Sequence, residues 1–216
     1  MKPPVLRPLF LLILAAPLRA DVTVSTMADM PAENVAIAVG TEESTMAVNT
    51  RNMSNTGGEY KGVAQSFRWN HDGKLTGIGF YLHPDQSNYP WRSHETQSYV
   101  LTIHAGDGPS LAAASHEPVE TLHFTIPGSQ ISNTGSKWLY LELRGVDLKK
   151  NQWYGFQIGP DLGATGTNRL FFQISNTDYE GNSQALNLAE TPIPAEISYS
   201  NNMGQIKDLT FFMTAE

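Results

Sequence analysis

Seven stretches of this chain alternate apolar and polar residues with a period of two. That period permits strands with one buried face and excludes amphipathic helices, whose period is 3.6. In residues 76–82 the apolar set is Ile78, Phe80 and Leu82; in 99–105 it is Tyr99, Leu101, Ile103 and Ala105. Leu122, Phe124 and Ile126 continue the pattern, then Leu139, Leu141 and Leu143, then Tyr154, Phe156 and Ile158. Leu170, Phe172 and Ile174 follow, and Leu209, Phe211 and Met213 close the series. Turn-forming clusters separate these runs: Asn70-His71-Asp72-Gly73, Gly106-Asp107-Gly108-Pro109, Pro127-Gly128-Ser129 and Asn133-Thr134-Gly135. Each supplies a residue that starts a turn or tolerates positive φ. No amphipathic helix longer than a turn or two is predicted. Many short antiparallel strands with such punctuation predict an all-β fold, a two-sheet antiparallel β-sandwich of jelly-roll or related Greek-key type.

The opening reads as an export signal. Lys2 and Arg7 precede an apolar run over 9–14, and Ala15-Ala16-Pro17-Leu18-Arg19-Ala20 precedes a polar stretch, which predicts cleavage after Ala20 and a secreted or periplasmic product. The run is shorter than the roughly 20 residues that span a bilayer, so no transmembrane segment is expected. The predicted organisation is a signal peptide over 1–20, an N-terminal segment over 21–58 that packs on or joins the sandwich, and a β-sandwich domain over 59–216.

Removing residues 1–20 takes Lys2, Arg7 and Arg19 from 14 basic residues and none from 21 acidic ones, leaving 11 against 21, a formal charge of −10. Nucleic acid is therefore not an expected partner, because phosphate binding needs clustered Lys and Arg. With no cysteine, disulfides, Cys-zinc sites and cysteine nucleophiles are excluded, and stability must come from burial.

Gly62-Val63-Ala64-Gln65-Ser66-Phe67, Leu75-Thr76-Gly77-Ile78-Gly79-Phe80-Tyr81-Leu82, and Tyr99-Val100-Leu101-Thr102-Ile103-His104 with Gly106-Asp107-Gly108 resemble the exported bacterial modules of the choice-of-anchor and PEP-CTERM-associated kind. Trp138-Leu139-Tyr140-Leu141, Lys149-Lys150-Asn151-Gln152-Trp153-Tyr154-Gly155-Phe156 and Asp208-Leu209-Thr210-Phe211 are similar to them as well, so the resemblance covers about 60–214. It implies a galactose-binding-like jelly roll. It also implies that a structural calcium between an early loop and the last strand would be held by Glu59 and Asp208; Asp208 could equally cap a turn. The C-terminal sorting helix and basic tail of such modules are lacking here.

The strongest functional candidate is 83–97, which joins two strands yet far exceeds the two to five residues common in hairpin loops. Long loops on rigid scaffolds are where binding concentrates. Tyr89 and Trp91 suit stacking on the C–H face of a sugar, with Asp85, Gln86, Asn88 and Arg92 bonding its hydroxyls; the alternative is that both rings fold back onto the sheet ends. The expectation is a secreted non-catalytic module that binds a polysaccharide or glycan.

Two other readings stay open. A structural or adhesive role would use an aromatic platform of Trp138, Tyr140, Trp153, Phe171 and Phe212, if their strands share a sheet and 21–55 does not cover them. A glycoside hydrolase would pair two carboxylates among Glu95, Glu117, Glu142 and Glu180. His104 and His123 occupy outward positions of strands that could be neighbours, a weak zinc pair, with exposed polar strand faces as the default; His71, His83, His94 and His116 read as surface residues. No nucleophile elbow, phosphate loop, zinc-protease helix or EF-hand motif is present. The tripeptide Ser-Asn-Thr recurs at 54–56, 132–134 and 175–177, twice within Gln-Ile-Ser-Asn-Thr, and reads as reused turn chemistry.

Overall fold

A computed structural model describes residues 22–40, 47–49, 51–52, 60–83, 95–111, 117–131, 138–161, 170–175, 179, 185–189 and 208–216. Its strands are β1 (Thr23–Met27), β2 (Val35–Val39), β3 (Ala47–Asn49), β4 (Arg51–Asn52), β5 (Tyr60–Trp69), β6 (Leu75–Tyr81) and β7 (Thr96–Gly106). They continue with β8 (Glu120–Pro127), β9 (Trp138–Val146), β10 (Gln152–Pro160), β11 (Phe171–Gln173), β12 (Ala185–Ala189) and β13 (Phe211–Ala215). A single helical turn, α1 (Gly128–Ile131), stands where Pro127-Gly128-Ser129 predicts a tight turn.

Two antiparallel sheets result. The first runs β1-β9-β6-β13-β2; the second runs β12-β5-β10-β7-β8, with β4 also on β5; β11 pairs with β3. The pairings are nested about one hairpin: β7 with β8, β6 with β9, β5 with β10 and β2 with β13. A long ribbon folded at the β7–β8 turn and rolled so that its arms alternate between sheets gives this order, which is the jelly roll. The all-β two-sheet sandwich is thus the architecture of the chain.

The predicted alternation is what fills the interior. Ile78, Phe80, Leu139, Leu141, Phe211 and Met213 of the first sheet meet Phe67, Leu101, Ile103, Phe156 and Ile158 of the second, and all are fully buried. Phe80 contacts Phe156 edge-on at 5.5 Å and Phe172 at 5.1 Å, and Phe156 also meets Phe211 at 5.5 Å, so the sheets are joined through rings rather than aliphatic contacts alone.

The N-terminal segment joins the sandwich at both edges of the first sheet, β1 on β9 and β2 on β13. Met27 is level with Trp138 and Tyr81, whereas Val35 at the opposite edge is level with Thr214 and Gly77, four residues lower. Four inter-strand gaps of about 4.8 Å and four residues of height make a diagonal of about 23 Å. The link 28–34 can reach about 29 Å. The link is long enough for that diagonal and bends at 28–29 and 32–34; because the inner face is filled by the core, its direct path lies over the outer face of the sheet.

That outer face is built around glycine. On β6, Gly77 and Gly79 point outward; a Cβ on Gly79 would lie 2.0 Å from the Phe212 ring, and one on Gly77 2.2 Å from the Tyr140 hydroxyl. Gly79 is the cross-strand partner of both Tyr140 and Phe212. The two rings therefore lie over the glycine strand, 5.6 Å apart and nearly parallel, and Trp138 meets Phe212 at 5.0 Å. Phe212 is fully buried and Trp138 is 5% exposed, so this face is covered.

Candidate functional site

Because strand directions alternate, the connections alternate between the two ends of the sandwich. One end carries 70–74 between β5 and β6, 107–119 between β7 and β8, and 147–151 between β9 and β10. The first and last of these are tight turns. In 147–151, Asn151 adopts φ 62°, its N–H donates to Trp69 O at 2.6 Å, and Lys149 N–H donates to the Tyr154 hydroxyl at 2.7 Å. At the other end the chain leaves β6 and enters β7, leaves β8 and enters β9, and leaves β10.

The candidate loop belongs to this end and bridges the sheets. Its foot on the first sheet is held where Leu82 bridges Phe172 and His83 N–H donates to Phe171 O at 2.9 Å. Its foot on the second sheet is held where Gly128 N–H donates to Glu95 O at 2.7 Å. Tyr81 and Trp138, edge-on at 5.0 Å, lie beside the first foot. Asp85, Gln86, Asn88, Tyr89, Trp91 and Arg92 lie outside the described residues. The loop is shorter than 83–97: β7 begins at Thr96, and Gln97 is a fully buried strand residue.

Asp208 is described, and its surroundings are those of a clamp. It is 1% exposed; Gln65 Nε2 donates to Oδ1 at 2.6 Å and Tyr179 N–H donates to Oδ2 at 2.5 Å. Leu209 N–H returns a bond to Gln65 Oε1 at 2.8 Å, and the Tyr179 hydroxyl donates to Arg68 O at 3.2 Å. These bonds stitch β5, the entry to β13 and Tyr179 together along one side of the sandwich. A cation at Asp208 would face N–H groups aimed at both carboxylate oxygens. Glu59 lies outside the described residues, and no group of three or more His, Asp or Glu positioned for a metal occurs among the described residues. Gln65 was not singled out by sequence, because a polar inward residue is recognisable only with the partner 143 positions away.

The histidines need correction. His104 and His123 do share the outer face of adjacent strands β7 and β8, but His123 is opposite Val100, four residues out of step with His104. His104 is buried, its Nε2 2.9 Å from Thr102 Oγ1 and 3.4 Å from Gln157 Nε2, so the face there is not exposed. His123 Nδ1 pairs instead with Asp161 Oδ2 at 2.8 Å. His83 is also buried rather than on the surface, since it forms a loop foot; His71 is exposed, and His94 and His116 lie outside the described residues.

Among the carboxylates, Glu95 precedes β7 at the foot of the candidate loop, Glu117 precedes β8 at the opposite end, and Glu142 is on the outer face of the first sheet. These three share no face, and Glu180 lies outside the described residues. The aromatic platform is likewise divided. Tyr140 and Phe212 belong with Trp138 in the first sheet, but Trp153 is on β10 of the second and Phe171 on β11.

No family model, curated protein or solved structure matches this chain. No helix among the described residues is long and apolar enough to cross a membrane.

Proposed function

We propose that this chain is an exported, non-catalytic glycan-binding module, related to the choice-of-anchor kind it resembles, that takes its ligand on the loop 84–94. Tyr89 and Trp91 stack on the sugar, and Asp85, Gln86, Asn88 and Arg92 hold its hydroxyls. The observation that supports this reading most is the mounting of the loop. It leads from β6 of one sheet to β7 of the other, with a backbone hydrogen bond at each foot. Rigid feet under a long loop lower the ordering cost that weakens loop-borne binding. Burial of Phe212 and Trp138 also weighs against adhesion through the aromatic face of the first sheet.

The test is a glycan and polysaccharide array probed with the purified chain and with Trp91→Ala, with calcium and with a chelator. A selective signal that Trp91→Ala lowers at least tenfold while leaving the unfolding midpoint unchanged is expected. A blank array from folded protein, or a signal indifferent to Trp91→Ala, overturns the proposal. Loss of signal in chelator adds the calcium ion to the site.

A further inference from the structure

The outer face of the second sheet holds a tryptophan and an arginine that neither the core nor the loop uses. Trp153 on β10 is the cross-strand partner of Arg68 on β5 and of Gly106 on β7. Both large side chains are half-buried and project outward, since their strand neighbours Phe67, Trp69 and Tyr154 point into the core. On the β7 side the partner of Trp153 is Gly106, which has no side chain to lay against the indole; a Cβ there would make ordinary contact with the Gly108 and Trp153 backbones at 3.6–3.8 Å.

Arg68 is the unusual partner. Its Nε is buried and has no hydrogen-bond partner. The ion pairs among the described residues join Lys74 to Asp147, Lys150 to Asp72 and His123 to Asp161, and none includes Arg68. In a chain with 21 acidic and 14 basic residues, an arginine with no carboxylate partner among the described residues is the less expected case. A guanidinium stays charged, carries five donors and accepts nothing, so its complement is an anion with two acceptors in a plane. The nearby residues on the same face, Ser66 on β5 and His104 on β7, do not supply one.

We infer that Trp153 and Arg68 form a subsite for a hexuronate unit, the sugar of an acidic polysaccharide. The pyranose stacks its C–H face on the indole beside Gly106, and its carboxylate takes the guanidinium fork. Cross-strand neighbours on one face have Cβ atoms about 4.5–5.5 Å apart, a spacing that lets one sugar reach both groups. This inference rests on the glycan-binding reading and gives it a ligand class. It uses a different surface, so a chain long enough to reach from the sheet face to the loop end would engage both.

Affinity electrophoresis separates the possibilities, with polygalacturonate and the same polymer after carboxyl reduction as probes. The purified chain is expected to bind the acidic polymer at least tenfold tighter than the reduced one. Arg68→Gln should bring the two within twofold, Arg68→Lys should keep part of the preference, and Trp153→Ala should weaken both. Unfolding midpoints of all three variants check that the sheet is intact. Equal binding of both polymers by the unaltered chain, or a preference that survives Arg68→Gln, overturns the subsite while leaving glycan binding at Trp91 standing. Failure to bind any polymer on the gel or the array overturns both.

Discussion

Substituting Gly79 by alanine should destabilise this protein for a reason found on neighbouring strands. The backbone there is not in the left-handed region, so the cost is steric. The added methyl would lie 2.0, 2.3 and 2.6 Å from Cε1, Cζ and Cδ1 of Phe212. Carbon atoms in contact prefer about 3.5–4.0 Å, so the ring must retreat by about 1.5 Å. It has nowhere to go: Phe212 is fully buried, with Trp138 at 5.0 Å and Tyr140 at 5.6 Å. Overpacking of this kind costs about 1–3 kcal/mol, and the lower unfolded-state entropy of alanine returns about 0.4–1 kcal/mol. The net loss is about 1–2 kcal/mol, or about 2–8 °C in Tm for a chain of this size.

Urea denaturation of Gly79→Ala, Phe212→Ala and the double variant completes the cycle. Phe212→Ala alone should cost about 3–5 kcal/mol through the cavity it leaves. In that background Gly79→Ala should cost nothing, a coupling of about 1–3 kcal/mol. Additivity within about 0.5 kcal/mol, or a Gly79→Ala protein as stable as the original, refutes the argument. Gly77→Ala supplies a control, because Tyr140 is only half-buried and can swing toward solvent, so the loss should be smaller.

Other outcomes follow from the same geometry. Asp208→Ala leaves the Gln65 amide and the Tyr179 N–H buried without their acceptor and should cost about 2–4 kcal/mol in urea titration; Asp208→Asn, which keeps an acceptor, should lose about half of that. Asn151→Gly should be neutral within about 0.5 kcal/mol by thermal unfolding, whereas Asn151→Val, forced into φ 62°, should lose about 1–2 kcal/mol. Arg68→Gln should leave Tm within about 2 °C while changing glycan binding as described, since Arg68 lies outside the core cluster of the described residues.

Much of the strand content is legible in the residues. The inward sets of β6 to β10 and of β13 follow a strict period, and all of them are in the core except Ala105, which packs half-buried against it. β5 is harder to see, because Gln65 breaks its inward face and Ala64 makes its outward face apolar, a pattern that only the Asp208 clamp explains. The halves of the repeated Gln-Ile-Ser-Asn-Thr part company: Gln130 and Ile131 end a helical turn, while Gln173 and Ile174 lie in and beside a strand. Local preference is weak there and pairing decides. The same limit hides the outer face of the first sheet. Outward Tyr140 and Phe212 read as an exposed platform until the register brings Gly79 between them. That Arg68 has no carboxylate partner among the described residues is legible only from the strand pairing, which sets Trp153 and not an acid opposite it.

The nesting of the strand pairs also orders the events by which the chain reaches its structure. β7 and β8 are consecutive in the chain and can pair early, whereas Val39 must wait for Phe211 to close the outermost pair. Loop closure grows costlier with separation and long-range pairing is slow. As the chain emerges from the ribosome, β6 finds β9 midway through synthesis, but β2 and the far side of β6 remain without a neighbour until β13 has been made. For most of its synthesis the protein therefore carries open strand edges, which favours holding the chain unfolded, by a chaperone or by export in extended form, until its last strand can close the roll.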